Sequence, residues 1–189
     1  MNRILFFAFF LLLANLWPEL VVAAEVNTNI YRLHEGDSVM VSVWREDALQ
    51  KQVVVLPDGS ITFPLVGRVE VVGLSTPEVE RIITAKLKQY LTEPVVSVVI
   101  AGIEGNRAYV TGKVIHPGSL IISSPMTVLQ AISMVGGFDK FADESNIKVI
   151  RQGAPYTMQI FPVNYDAIIS GKDISTNIYL KAGDTIVVP

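Results

Sequence analysis

The chain has no cysteine. No disulfide can hold the fold, so a packed core must do so. No cysteine follows the amino-terminal segment to carry a lipid, which argues against a cysteine-anchored lipoprotein. Histidine is nearly as scarce. His34 and His116 have no second His, Cys or carboxylate at the spacing that metal sites use. Basic residues are not in excess: the formal net charge is −3. That speaks against nucleic acid, whose phosphates demand clustered Lys and Arg, and against an anionic membrane surface as the main partner. No nucleophile elbow of the G-x-S-x-G type occurs. Gly171-Lys172-Asp173 lacks the upstream glycine and the Ser/Thr of a phosphate loop.

The first two dozen residues read as a secretory signal. Arg3 supplies the positive region, Ile4 to Leu16 the apolar one, and Val22-Ala23-Ala24 the small residues before a cut. Cleavage is expected between Ala24 and Glu25; an uncleaved anchor is the alternative. The apolar run falls short of the ~20 residues of a comfortable span, and no later segment is long and apolar enough to cross a bilayer. Arg3 and Glu19 cancel, so the secreted remainder keeps its mild acidity.

The remainder predicts an α+β fold in two small domains, 25–102 and 107–189, with Ala101–Asn106 as the boundary. Val39, Val41 and Val43 alternate with Met40, Ser42 and Trp44, a period of two that predicts a strand over 38–44. Residues 45–50 read as a loop. Val53–Leu56 and Ile61–Phe63 flank Pro57-Asp58-Gly59 and predict a hairpin, which Pro64 ends. Val69–Val72 predicts another strand. Ser75 with Glu78 predicts a capping box, and Pro77 suits a first helical turn. Val79, Ile82, Ile83, Leu87, Tyr90 and Leu91 then recur at helical spacing. Pro94 stops the helix, and Val95–Ile100, apolar on both sides, reads as a central strand buried on both faces.

The second unit repeats this grammar. Strands are expected over 107–111 and 119–123 around a Gly112–Gly118 turn region. A helix follows, capped by Thr127 with Gln130 and closed by Gly136-Gly137. A hairpin is expected between 147–151 and 156–163, then a helical turn over 165–170, then strands at 178–180 and 185–188. One internal echo links the units. Leu33-His34-Glu35-Gly36-Asp37-Ser38-Val39 resembles Leu180-Lys181-Ala182-Gly183-Asp184-Thr185-Ile186. In each copy Gly can supply a positive φ, Asp can bond nearby backbone, and a β-branched strand follows.

Reactive constellations are thin throughout. Asp37, Asp58 and Asp184 sit beside glycine in turns, where backbone capping is the expected role rather than acid–base catalysis. His116 precedes a Pro-Gly turn and reads as a solvated turn residue. Asp139, Asp143 and Glu144 form an acidic patch without calcium-loop spacing, expected to be a solvated loop. Trp44, Tyr90 and Tyr109 could stack on sugar rings, but aromatics at such positions are expected in the core.

Together the two units resemble the bacterial outer-membrane polysaccharide export family. Tyr31-Arg32-Leu33, Gly36-Asp37, Val43-Trp44, Pro57-Asp58-Gly59-Ser60-Ile61, Pro64, Gly67, the 78–91 helix and Pro94-Val95-Val96-Ser97-Val98 carry the likeness to its export domain. Val110-Thr111-Gly112-Lys113-Val114, Pro117-Gly118, Ala131-Ile132, Gly136-Gly137-Phe138, Asn146, Val149-Ile150-Arg151 and the run from Leu180 through Gly183-Asp184 to Pro189 carry the likeness to its soluble-ligand-binding β-grasp (SLBB) domain. The motif glycines, prolines and aspartates enter as structural positions. The resemblance implies no catalytic residue, no cofactor and no metal, and it leaves the sugar-contacting residues unassigned.

The resemblance implies a ring-forming homo-oligomer in the periplasm, associated with the outer membrane. Capsular or extracellular polysaccharide would pass through it, beside an inner-membrane copolymerase. Longer members carry a lipidated cysteine, further β-grasp domains and a carboxy-terminal pore helix. The expectation here is that either a separate outer-membrane β-barrel supplies the pore or the chain is an accessory ring. Two other readings compete. One is a monomeric periplasmic glycan-binding or sensory module. The other is a glycan hydrolase or lyase, which would need two acids facing each other at glycosidase spacing.

Overall fold

A computed structural model describes residues 30–153 and 157–189. The signal segment and the expected cut after Ala24 lie outside the described residues, as do Ala154, Pro155 and Tyr156 of the last hairpin.

The alternation of the first segment becomes β1 (Ser38–Val43), with Val39, Val41 and Val43 buried. It is the middle strand of three. β2 (Lys51–Val54) pairs with it antiparallel on one side, and β5 (Val96–Gly102) antiparallel on the other. The expected loop at 45–50 contains a short 3₁₀ turn, Asp47–Leu49, which buries Leu49. Helix α1 (Thr76–Leu87) covers one face of this sheet through Val79, Ile83 and Leu87, spaced four apart. At its start the Glu78 carboxylate accepts from the Ser75 amide at 2.8 Å and from its hydroxyl at 2.6 Å.

Three expectations fail here. The turn at Pro57-Asp58-Gly59 forms, with the Gly59 amide donating to the Leu56 carbonyl. It does not join paired strands. β3 (Ser60–Phe63) pairs instead with β4 (Gly67–Glu70), across a turn in which Leu65 and Gly67 take φ of 64° and 74°. A turn signal marks a reversal but does not choose the partner. β5 is an edge strand, not a central one: Val96 and Val98 face the core, while Val95 and Val99 are each 62% exposed. The helix also stops earlier than its apolar spacing suggests, leaving Tyr90 in a turn and exposed.

The second domain is a five-stranded sheet in the order β7-β6-β10-β8-β9. The strands are β6 (Arg107–Gly112), β7 (Gly118–Ile121), β8 (Ile147–Gln152), β9 (Met158–Val163) and β10 (Thr185–Val188). β10 runs parallel to β6; the other pairs are antiparallel. α2 (Val128–Met134) buries Val128, Ala131 and Ile132 in the same cluster as Ala108, Val110, Ile147, Val149 and Ile186 from the strands. Thr127 and Gln130 close its start reciprocally. At its end the Gly137 amide reaches the Ile132 carbonyl and the Gly136 amide the Ser133 carbonyl, both glycines at positive φ. α3 (Tyr165–Ile169) is capped by Asn164. The strand expected at 178–180 is only a single bridge between Tyr179 and Thr127.

The fold is thus α+β, with one buried cluster per domain. Residues 31–189 nevertheless pack as one compact unit.

Candidate functional site

The two Gly-Asp turns are built alike. Gly36 and Gly183 have φ of 93° and 83°. Each aspartate amide donates to the carbonyl three residues back, and each carboxylate accepts the amide of that same residue, His34 or Lys181, at 2.8 Å. Both aspartates are fully buried. A buried carboxylate needs partners for its remaining lone pairs, and here the copies diverge.

Asp37 takes the amides of Glu104 at 3.0 Å and Gly105 at 2.9 Å, and the Tyr31 hydroxyl at 2.6 Å. Burial, and then the bond to Asp37, push the Tyr31 phenol well above its ordinary pKa. Asp184 takes a two-pronged bond from Arg151, Nε and Nη2 each at 2.7 Å. That guanidinium also lies 4.9 Å from the centroid of the Phe161 ring. Asp184 holds the Arg151 guanidinium above its ordinary pKa through that hydrogen bond. Asp58 accepts from the Ser60 hydroxyl and amide, which hold its carboxyl below the usual range. Asp58 also pairs with Arg68 at 3.1 Å, so each of the three acids has partners that fix its turn.

The other motif positions are turn and edge residues. Gly59 is buried and its carbonyl accepts from Val71 and Val72. Pro64 opens the β3–β4 turn. Gly112 (φ 96°) lies against the Val188 backbone. Pro117 precedes β7 and Gly118 begins it; both are exposed, as is His116. Asp139 and Asp143 accept from loop groups within three residues of themselves. Among the described residues no cluster of three or more His, Cys, Asp or Glu could hold a metal ion.

The surfaces carry more information than the acids. Among the described residues no helix covers the other face of the three-stranded sheet, where Met40, Ser42, Gln52, Val54, Ser97 and Val99 lie in register with no charged side chain among them; Met40 and Ser42 are half-buried and the rest exposed. Trp44 ends this face and is 70% exposed, contrary to the expectation of a core aromatic. A cleft of ≈ 380 Å³ opens beside it, lined by Ser42, Trp44, Arg45, Asp47, Val95 and Ser97. The five-stranded sheet is also bare on one side, where Tyr109, Ile121, Met158 and Ile160 are exposed. Tyr109, like Tyr90, is therefore not a core residue. Sequence parity held the clue for Trp44: it shares its side of β1 with Met40 and Ser42, opposite the buried valines. Arg151 and Gly105, the partners of the two buried aspartates, carried no local signal.

Comparison with known proteins fits this layout. Residues 25–101 match the family of polysaccharide biosynthesis/export proteins, and residues 106–188 match the SLBB domain. The EPS I polysaccharide export outer membrane protein EpsA of Ralstonia nicotianae is 31% identical over 137 residues, 71% of this chain and 35% of that protein. The polysialic acid transport protein KpsD of Escherichia coli is 28% identical over 159 residues, 84% of this chain and 28% of that protein. The capsule polysaccharide export outer membrane protein CtrA of Neisseria meningitidis is 28% identical over 158 residues, 81% of this chain and 38% of that protein. The chain thus spans roughly a third of the length of these relatives. With the two matches following one another over nearly all residues after Ala24, the chain belongs to the outer-membrane polysaccharide export family, with one export domain followed by one SLBB domain.

Proposed function

We propose that the chain is a subunit of a polysaccharide export conduit, acting in the periplasm as a ring-forming scaffold that makes and breaks no bond. Its cargo would be capsular or extracellular polysaccharide. Its partners would be further copies of itself, an inner-membrane copolymerase and a separate outer-membrane β-barrel. The motif glycines and aspartates would serve shape, and the amino-terminal segment would direct secretion and be removed. Domain limits of 25–102 and 107–189 would follow the two structural clusters.

The observation that carries this reading is the end-to-end match to an export domain and an SLBB domain. The exposed apolar residues of the five-stranded sheet, Tyr109, Ile121, Met158 and Ile160, support it, because apolar surface gathered on one side of a small protein marks contact sites. No described helix is long and apolar enough to cross a membrane.

Deleting the gene in a producing strain tests the role. Polymer should still be made, and its appearance outside the cell should stop; normal secretion would refute the proposal. Native mass spectrometry tests the assembly. A single closed oligomer is expected, and a strict monomer with glycan affinity would favour the binding-module reading.

A further inference from the structure

We propose that the cleft beside Trp44 is a pyranose-binding subsite, at which the indole stacks against a sugar ring of the transported chain. The inference rests on the export reading and adds to it the residues that touch the polymer.

Trp44 presents a flat apolar surface to solvent, and it is not a loose appendage. Its amide donates to the Val95 carbonyl at 2.9 Å, which extends the β1–β5 pairing by one residue. Arg45 follows with φ of 63°, a left-handed conformation that non-glycine residues adopt at a strain. The chain therefore turns sharply just after the indole and brings Asp47 round to the same cleft.

The polar groups there are unused. Ser42, Arg45, Asp47 and Ser97 make no side-chain hydrogen bond or ion pair with the described residues. For Asp47 this is exceptional, since every other aspartate in the chain accepts at least one hydrogen bond. The residues lining the cleft carry an indole, a carboxylate, a guanidinium and two hydroxyls, and so offer both donors and acceptors beside an aromatic surface. A pyranose has the matching surface: a C–H face to lie on the ring and hydroxyls on its edge. The cleft volume is at the small end of the range for small-molecule sites, as suits one residue of a chain. Its openness to solvent suits weak contact with a moving polymer. A protein occupant would have to desolvate the Asp47 carboxylate, and aspartate is depleted at protein interfaces.

Trp17 and Trp44 are the only tryptophans. In the full chain carrying Trp17→Phe, emission therefore reports on Trp44 alone. The probe is a set of oligosaccharides cut from the polymer that the producing strain secretes. A saturable change in emission at constant oligomeric mass is expected. Asp47→Ala should weaken the apparent affinity several-fold, up to about tenfold, without shifting the melting temperature, because its side chain holds nothing in the protein. No change in emission with these oligosaccharides would overturn the subsite. So would a change that follows protein concentration alone, which would mean that a second copy covers the indole. Export assays separate the two claims. If gene deletion stops export but Trp44→Ala exports normally and emission is silent, the subsite falls and the export role stands. If deletion leaves export intact, the export role falls whatever Trp44 binds.

Discussion

The carboxylate of Asp37 lies 2.9 Å from the amide nitrogen of Gly105, across 68 positions of sequence. One oxygen of a turn in the first domain thereby anchors the segment that leads into the second. Glu104 donates to the same oxygen. The approach is close: a Cβ on Gly105 would fall 2.1 Å from the Glu35 carbonyl oxygen.

Asp37→Ala should therefore destabilise the chain by about 3 kcal/mol or more, because it strands the amides of His34, Glu104 and Gly105 and leaves the Tyr31 hydroxyl only the His34 ring at 3.2 Å. Urea denaturation measures this. Hydrogen exchange at the Gly105 amide should rise in the same variant. Gly105→Ala keeps the acceptor but forces the backbones apart, at about 1–3 kcal/mol. Wild-type stability in either variant would show that the junction does not depend on this contact.

Arg151 and Asp184 form the corresponding pair in the SLBB domain. Asp184 is fully buried and Arg151 is largely covered. Arg151→Met leaves a buried carboxylate without its cation and should lower stability by about 3–5 kcal/mol. Arg151→Lys should recover only part of it, since an ammonium cannot offer both prongs to the carboxylate. A double-mutant cycle with Asp184→Asn gives the coupling; coupling near zero would contradict the geometry.

The start of α1 should respond to acid. The Ser75 hydroxyl and amide hold the Glu78 carboxyl below its ordinary value of 4.5. Its folded pKa is depressed, so its contribution is complete above pH 4.5 and fades as pH falls through the folded value. Ser75→Ala removes the chief cause. The gap in melting temperature between wild type and Ser75→Ala should be constant near neutrality and shrink in the acid range. A gap that stays the same down to pH 2, roughly the bottom of the carboxylate range, would refute this.

The outer edge of β5 is guarded by one side chain. Glu80 Oε1 accepts the Val98 amide at 2.8 Å, reaching from α1 to a backbone donor on the edge strand. Glu80→Ala should cost about 1–2 kcal/mol and speed exchange at Val98. An exposed edge donor also invites pairing between chains, so light scattering on heating should rise. An unchanged Val98 exchange rate would show that the edge is protected in another way.

Much of this was legible locally. The β1 alternation, the Ser75–Glu78 and Thr127–Gln130 caps, the Gly136-Gly137 stop and both Gly-Asp turns depend on residues within a few positions of one another. The candidate surface was half legible. Parity placed Trp44 opposite the buried valines, but nothing in the sequence said that the opposite face would be bare.

Most elements, their order and the likeness to the export and SLBB domains lie in local patterns, because caps, turns and hydrophobic period are short-range physics; the expected strand at 178–180, which is only a bridge, is an exception. Which strands pair and what the buried carboxylates hold follow from packing between distant segments. β3 turned to β4 rather than β2, β5 became an edge, and Asp37 and Asp184 found Gly105 and Arg151. Those choices depend on which distant groups can satisfy a buried polar atom or cover an apolar face, and no local pattern encodes them. The exposure of Trp44 belongs to the same class: among the described residues, no distant segment packs over the indole, and no local pattern says so.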